Sequence, residues 1–116
     1  MMYTEITVGK KTLKLRLTTR TIVALEKKLG KNPLSIFNGM QHMEMPLVSD
    51  IVMLLHASLQ ALEHGYTEDM VYDLYDEYIE EGHNIRDVID VIYEVFQVSG
   101  LLKREEETSP NAGAGT

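Results

Sequence analysis

The apolar residues of this chain change their period once, at Thr18–Thr19, and that change limits what the chain can fold into. Before it they alternate. Tyr3, Glu5 and Thr7 interleave with Thr4, Ile6 and Val8, and after Gly9–Lys10 the residues Leu13, Leu15 and Leu17 interleave with Lys14 and Arg16. A period of two around a glycine-containing turn is the pattern of a half-buried β-hairpin, here spanning 3–17. Two strands are marginal alone, so the leucine face must pack on something else. After Thr19 the apolar spacing is helical, and glycines punctuate it.

The helices can be placed from their start and stop signals. Thr18 or Thr19 caps a first helix whose stripe is Ile22, Leu25 and Leu29, interrupted by Glu26 and closed at Gly30. Asn32 and Pro33 start a short second helix, anchored by Leu34, Ile36 and Phe37 and stopped at Asn38–Gly39. Gly39 to Met45 then reads as a loop. Pro46 opens a third helix to about His64, with Leu47, Ile51, Leu54, Leu55, Leu59 and Leu62 inside. Thr67 caps a fourth, lined inwardly by Met70, Val71, Leu74, Tyr78 and Ile79 and ended by Gly82. Asn84 caps a fifth, with Ile85, Val88, Ile89, Ile92, Val95 and Phe96, ending near Gly100. The expected fold is mainly α: an N-terminal β-hairpin packed on a small bundle of four to five helices. It forms one globular domain over 1–102, with 3–17 as hairpin and 19–100 helical. Residues 103–116, charged and then small and polar, read as a flexible tail.

A chain of 116 residues can bury one core without a staple, and it has no cysteine for disulfides, thiolate metal sites or thiol nucleophiles. The most apolar stretch, Ile51 to Leu62, is interrupted by His56, Ser58 and Gln60 and is short of the ~20 residues that span a bilayer. The first residues do not read as a signal peptide. A cytosolic protein is expected.

Charge is unevenly distributed. Residues 1–31 carry eight cations against Glu5 and Glu26, a balance of +6, whereas residues 63–94 carry eleven acids against Arg86, a balance of -10. With a net charge of -7, the surface as a whole repels nucleic-acid phosphate, so nucleic acid is not the expected partner. The same polarity lets the basic end of one copy meet the acidic part of another, a head-to-tail self-association that builds rings or filaments.

Few residues offer chemistry. The histidines 42, 56, 64 and 83 lack the i, i+3 or i+4 spacing of a helical metal pair. Phosphate-loop and nucleophile-elbow patterns are absent. Neither a catalytic residue nor a cofactor or metal site is assigned. Residues suited to gripping a polypeptide are plentiful. Met40, Met43 and Met45 sit in one loop, as an adaptable apolar surface or as a loop tucked on the core. Tyr72 and Tyr75 suit either an interface or the core boundary. Asp73, Asp76, Glu77 and Glu80 share a helix face, solvated or docking a basic partner. The partner-binding candidates are therefore Met40, Met43, Met45, Tyr72, Asp73, Tyr75, Asp76 and Glu80.

The run LKLRLTTRTIVALEKKLGKNPLSIF, residues 13–37, resembles the N-terminal region of tail assembly chaperones of long-tailed (siphovirus-type) bacteriophages or prophages. It has the alternating leucine strand, Thr-Thr-Arg, an Ala-Leu-Glu helix ending in Leu-Gly, and an Asn-Pro-Leu helix start. The resemblance implies a non-catalytic protein that binds the tape-measure protein and tail-tube subunits during assembly. It also implies a place in the cytoplasm of the bacterial host, absence from the mature virion, and in many relatives a frameshifted longer product. A structural tail or connector protein is the alternative. A small nucleic-acid-binding regulator using Lys10, Lys11, Lys14, Arg16 and Arg20 is a third reading.

Overall fold

A computed structural model describes residues 2–103; the tail expected from 103 lies, beyond its first residue, outside the described residues. Strands β1 (Thr4–Val8) and β2 (Lys11–Leu15) form an antiparallel hairpin in which Val8 faces Lys11 and Thr4 faces Leu15. Gly9 supplies the positive φ, 61°, that the first central residue of a tight hairpin turn requires. Four α-helices follow among the described residues: α1 (Thr19–Leu29), α2 (Val48–Leu59), α3 (Glu68–Glu80) and α4 (Ile85–Val98). A 3₁₀ segment, Pro33–His42, lies between α1 and α2.

Most helix starts are held by the residues expected to cap them. Thr18 and Thr21 exchange side-chain-to-backbone bonds in a capping box, as do Asn84 and Asp87. Thr67 accepts from the Met70 amide, and Asn32 from that of Leu34. Gly30 closes α1 in the left-handed conformation, its amide bonded to the Glu26 carbonyl.

Helix α2 is the hub. Ile51, Val52, Leu54, Leu55, Ser58 and Leu59 are all buried, and the helix packs on α1, α3, α4 and β2. The apolar face of the hairpin closes the core from one side through Ile6, Val8, Leu13, Leu15 and Leu17, with β1 also against α4 and α3. Two polar ties fix the strand-to-helix passage. The Arg16 amide donates to the Ser58 carbonyl at 3.0 Å, and the Leu17 amide to the Ser99 hydroxyl at 2.8 Å. Phe96 is fully buried and meets Phe37 edge-on, with centroids 5.5 Å apart.

Several helix boundaries and faces differ from the expectation. The short second helix does not stop at Asn38–Gly39 but continues as 3₁₀ to His42, where Met43 turns left-handed at φ 64°. Part of the Gly39–Met45 loop is therefore helical. The third helix begins at Val48 and ends at Leu59; Leu47 before it is extended, and the His56 and Gln60 side chains near its end meet the Tyr66 carbonyl. Leu47, read as core, lies before that helix and is 66% exposed. Met70, read as inward, is exposed on α3, where Val71, Leu74 and Tyr78 take the buried side.

Leu15→Ala, deep in the hairpin, should lower stability by about 2–5 kcal/mol, the cost of a cavity left by a buried leucine. Leu47→Ala should change it by no more than about 0.5 kcal/mol. Urea unfolding of both variants checks the contrast.

Candidate protein-docking surfaces

The structure separates the expected partner-binding residues into two groups. The first lies at the end of the 3₁₀ segment and in the passage to α2. Met43 is 92% exposed, and Met45 is also exposed. The turn that displays them is held by the Met43 amide on the Met40 carbonyl at 3.0 Å and the Glu44 amide on the Gly39 carbonyl at 2.9 Å. Met40 belongs to the other side of this turn. It packs partly buried against the core, beside Phe37, Ile89 and Tyr93, so it supports the display rather than joining it. Leu47 and Val48 continue the exposed apolar run, with only buried Pro46 between Met45 and Leu47. A run of four large apolar side chains facing solvent within six residues is the sort of surface that marks a protein contact.

The second group lies on α3. Tyr72 is exposed, as are Asp73, Asp76 and Glu80. Asp69 extends this face toward the helix start, where a carboxylate is favoured by the helix dipole. Tyr75 is half buried against the core and contributes little outward area. The 3₁₀ segment packs on α1, whereas α3 packs on α2 and β1, so the two groups stand on separately supported elements.

The acids are only partly neutralised within the chain. Glu81 accepts from the Gly9 amide at 2.5 Å, and Glu77 lies so close that a Cβ at position 9 would come within 2.6 Å of its Oε2. The hairpin turn, with Lys10 and Lys11, therefore sits against the end of α3. Lys28 pairs with Glu68 at 3.1 Å and Lys31 with Asp50 at 3.0 Å. The Glu63 carboxylate accepts from the Lys14 amide at 3.0 Å and occupies a donor on a strand edge.

Sequence reasoning missed Leu47, Val48 and Met70 as surface residues. Leu47 and Met70 fit the helical spacing of inward positions, and nothing in the local pattern distinguishes them. Two of the histidines have structural contacts. His56 Nε2 lies 3.0 Å from the Tyr66 carbonyl, and His83 stacks on Tyr78 at 3.9 Å while its Nδ1 approaches Asp87 at 3.3 Å. No three His, Asp or Glu residues among those described are grouped to hold a metal ion. None of the described helices is long and apolar enough to cross a membrane.

Burial raises the Tyr78 phenol above its ordinary value, and Asp87, Glu81 and Asp90 add to the shift. Burial, then Asp76, raises that of Tyr75. A phenol that keeps its proton longer when folded lends stability that is complete below pH ~10 and is lost as pH rises through the folded value. Urea midpoints should therefore fall above pH ~10, and Tyr78→Phe should flatten that fall.

Comparison with known proteins gives one family. No curated protein and no solved structure matches the chain. A family model described as a family of unknown function, DUF6096, matches residues 3–113, which takes in the hairpin, every helix and both exposed surfaces. The chain belongs to the DUF6096 family.

Proposed function

We propose that this chain is a non-catalytic chaperone of phage tail assembly, which holds the tape-measure protein and tail-tube subunits until they are incorporated. It acts in the cytoplasm of the bacterial host and is absent from the finished virion. The observation that carries the reading is the exposed apolar run Met43, Met45, Leu47 and Val48, displayed by a tight turn on a well-packed core. A holding protein needs apolar area that its own fold leaves uncovered, together with enough charge to stay dissolved while that area is free. Methionine suits such a surface, since its unbranched, polarisable side chain adapts to irregular partners. The resemblance of residues 13–37 to tail assembly chaperones supplies the identity of the partners.

The test is coexpression with a tape-measure protein and a tail-tube protein from the same genome. The native chain should raise their soluble fraction and co-elute with them. Met43→Asp with Leu47→Asp should keep the native circular dichroism and lose about tenfold or more in affinity, the ~1.4 kcal/mol expected of a used interface side chain. No gain in partner solubility from the native chain would overturn the assignment. Stoichiometric presence of the chain in purified particles would do the same and favour a structural tail protein.

A further inference from the structure

The hairpin has two outer edges, and the fold treats them differently. The Lys14 amide donates to the Glu63 carboxylate and the Arg16 amide to the Ser58 carbonyl, both at 3.0 Å, so both point away from β1. Along an antiparallel pair, residues that turn their backbone groups toward the other strand alternate with residues that turn them away. Glu5, which faces Lys14, and Thr7, which faces Thr12, are therefore the outward residues of β1. Both are exposed, and their amides and carbonyls are bonded to no group among the described residues. The edge of β2 is thus closed, and that of β1 is open.

An open edge is a template for another extended chain. The usual devices against such pairing are missing from Thr4–Val8, which has neither lysine nor proline and pairs in unbroken register. The acidic helices α3 and α4 both pack on β1, whereas α2 packs on β2. They set carboxylates at the two ends of the open edge. Glu94 accepts from the Thr4 hydroxyl at 2.6 Å, and Glu81 accepts from the Gly9 amide with Glu77 beside it. Thr4 and Gly9 are ~17 Å apart along the strand, at ~3.4 Å per residue.

We infer that the edge of β1 takes an extended segment of a partner protein as a third strand, with lysine or arginine near both ends of that segment and β-branched residues between. Backbone bonds to Glu5 and Thr7 supply the pairing, and the carboxylates select the charge. A second copy of β1 is disfavoured, since TEITV brings a carboxylate and no cation to a rim that is already acidic. The edge shares no residue with the Met43–Val48 run, so the inference stands independently of the chaperone reading.

Amide exchange followed by NMR on the full chain tests it. In the free protein the Glu5 and Thr7 amides should exchange faster than those of Ile6 and Val8. The peptide acetyl-Lys-Val-Thr-Val-Lys-amide should slow both, and should bind about tenfold more tightly than its counterpart with glutamate at both ends. Thr7→Pro removes an outward donor where an edge strand tolerates proline, so it should keep the native circular dichroism and weaken the lysine-ended peptide about tenfold. Glu94→Lys should narrow the preference between the two peptides. Slow exchange at Glu5 and Thr7 in the free chain would defeat the inference, as would exchange that millimolar peptide leaves unchanged. Equal binding of the two peptides would do so too. Protection that rises with protein concentration alone would place a second copy on the edge and defeat it as well.

Discussion

Burying a helix on nearly every side leaves its polar groups no solvent to fall back on, and α2 is placed in that position by its neighbours. Its hydroxyl at Ser58 donates to the Leu54 carbonyl at 2.6 Å, within its own turn. The Ser58 carbonyl, near the helix end, accepts the Arg16 amide where β2 leaves the hairpin. At the other end Asp50 is almost enclosed and is met by Lys31. A carboxylate so placed would be costly without its cation. These contacts make the hairpin and the linker after α1 part of the setting in which α2 can be buried. The remaining helices then need only one apolar stripe each, since α2 presents apolar surface in several directions.

Folding also rearranges the charge that the sequence segregates. The positive stretch runs from the hairpin through α1, and the negative one through α3 and α4. The hairpin turn comes down on the end of α3, where the absence of a side chain at Gly9 lets Glu77 and Glu81 reach the backbone. Lys28 reaches Glu68 across from α1 to the start of α3. A cation is thus brought to the start of α3 and a backbone amide to its end, while its outer middle keeps Asp73 and Asp76 in solvent. Exposed pairs of this kind add little stability. Their effect is to leave a defined remainder of unneutralised charge at fixed positions.

How legible this was depended on whether a residue's environment is local. Thr18, Asn32, Thr67 and Asn84 could be read as caps because the bond each makes closes within three residues. Leu13, Leu15 and Leu17 could be read as one buried face because a strand permits only two sides. Leu47 could not be separated from Ile51 by spacing, since the start of α2 has no capping side chain to mark it. The extension of the 3₁₀ segment to His42 depends on Met43 adopting a left-handed backbone, which its residue type does not announce. Of the three methionines left open between surface and core, Met43 and Met45 are exposed. Met40 differs only because Phe37 and α4 make a niche beside it, a contact more than forty residues away in sequence.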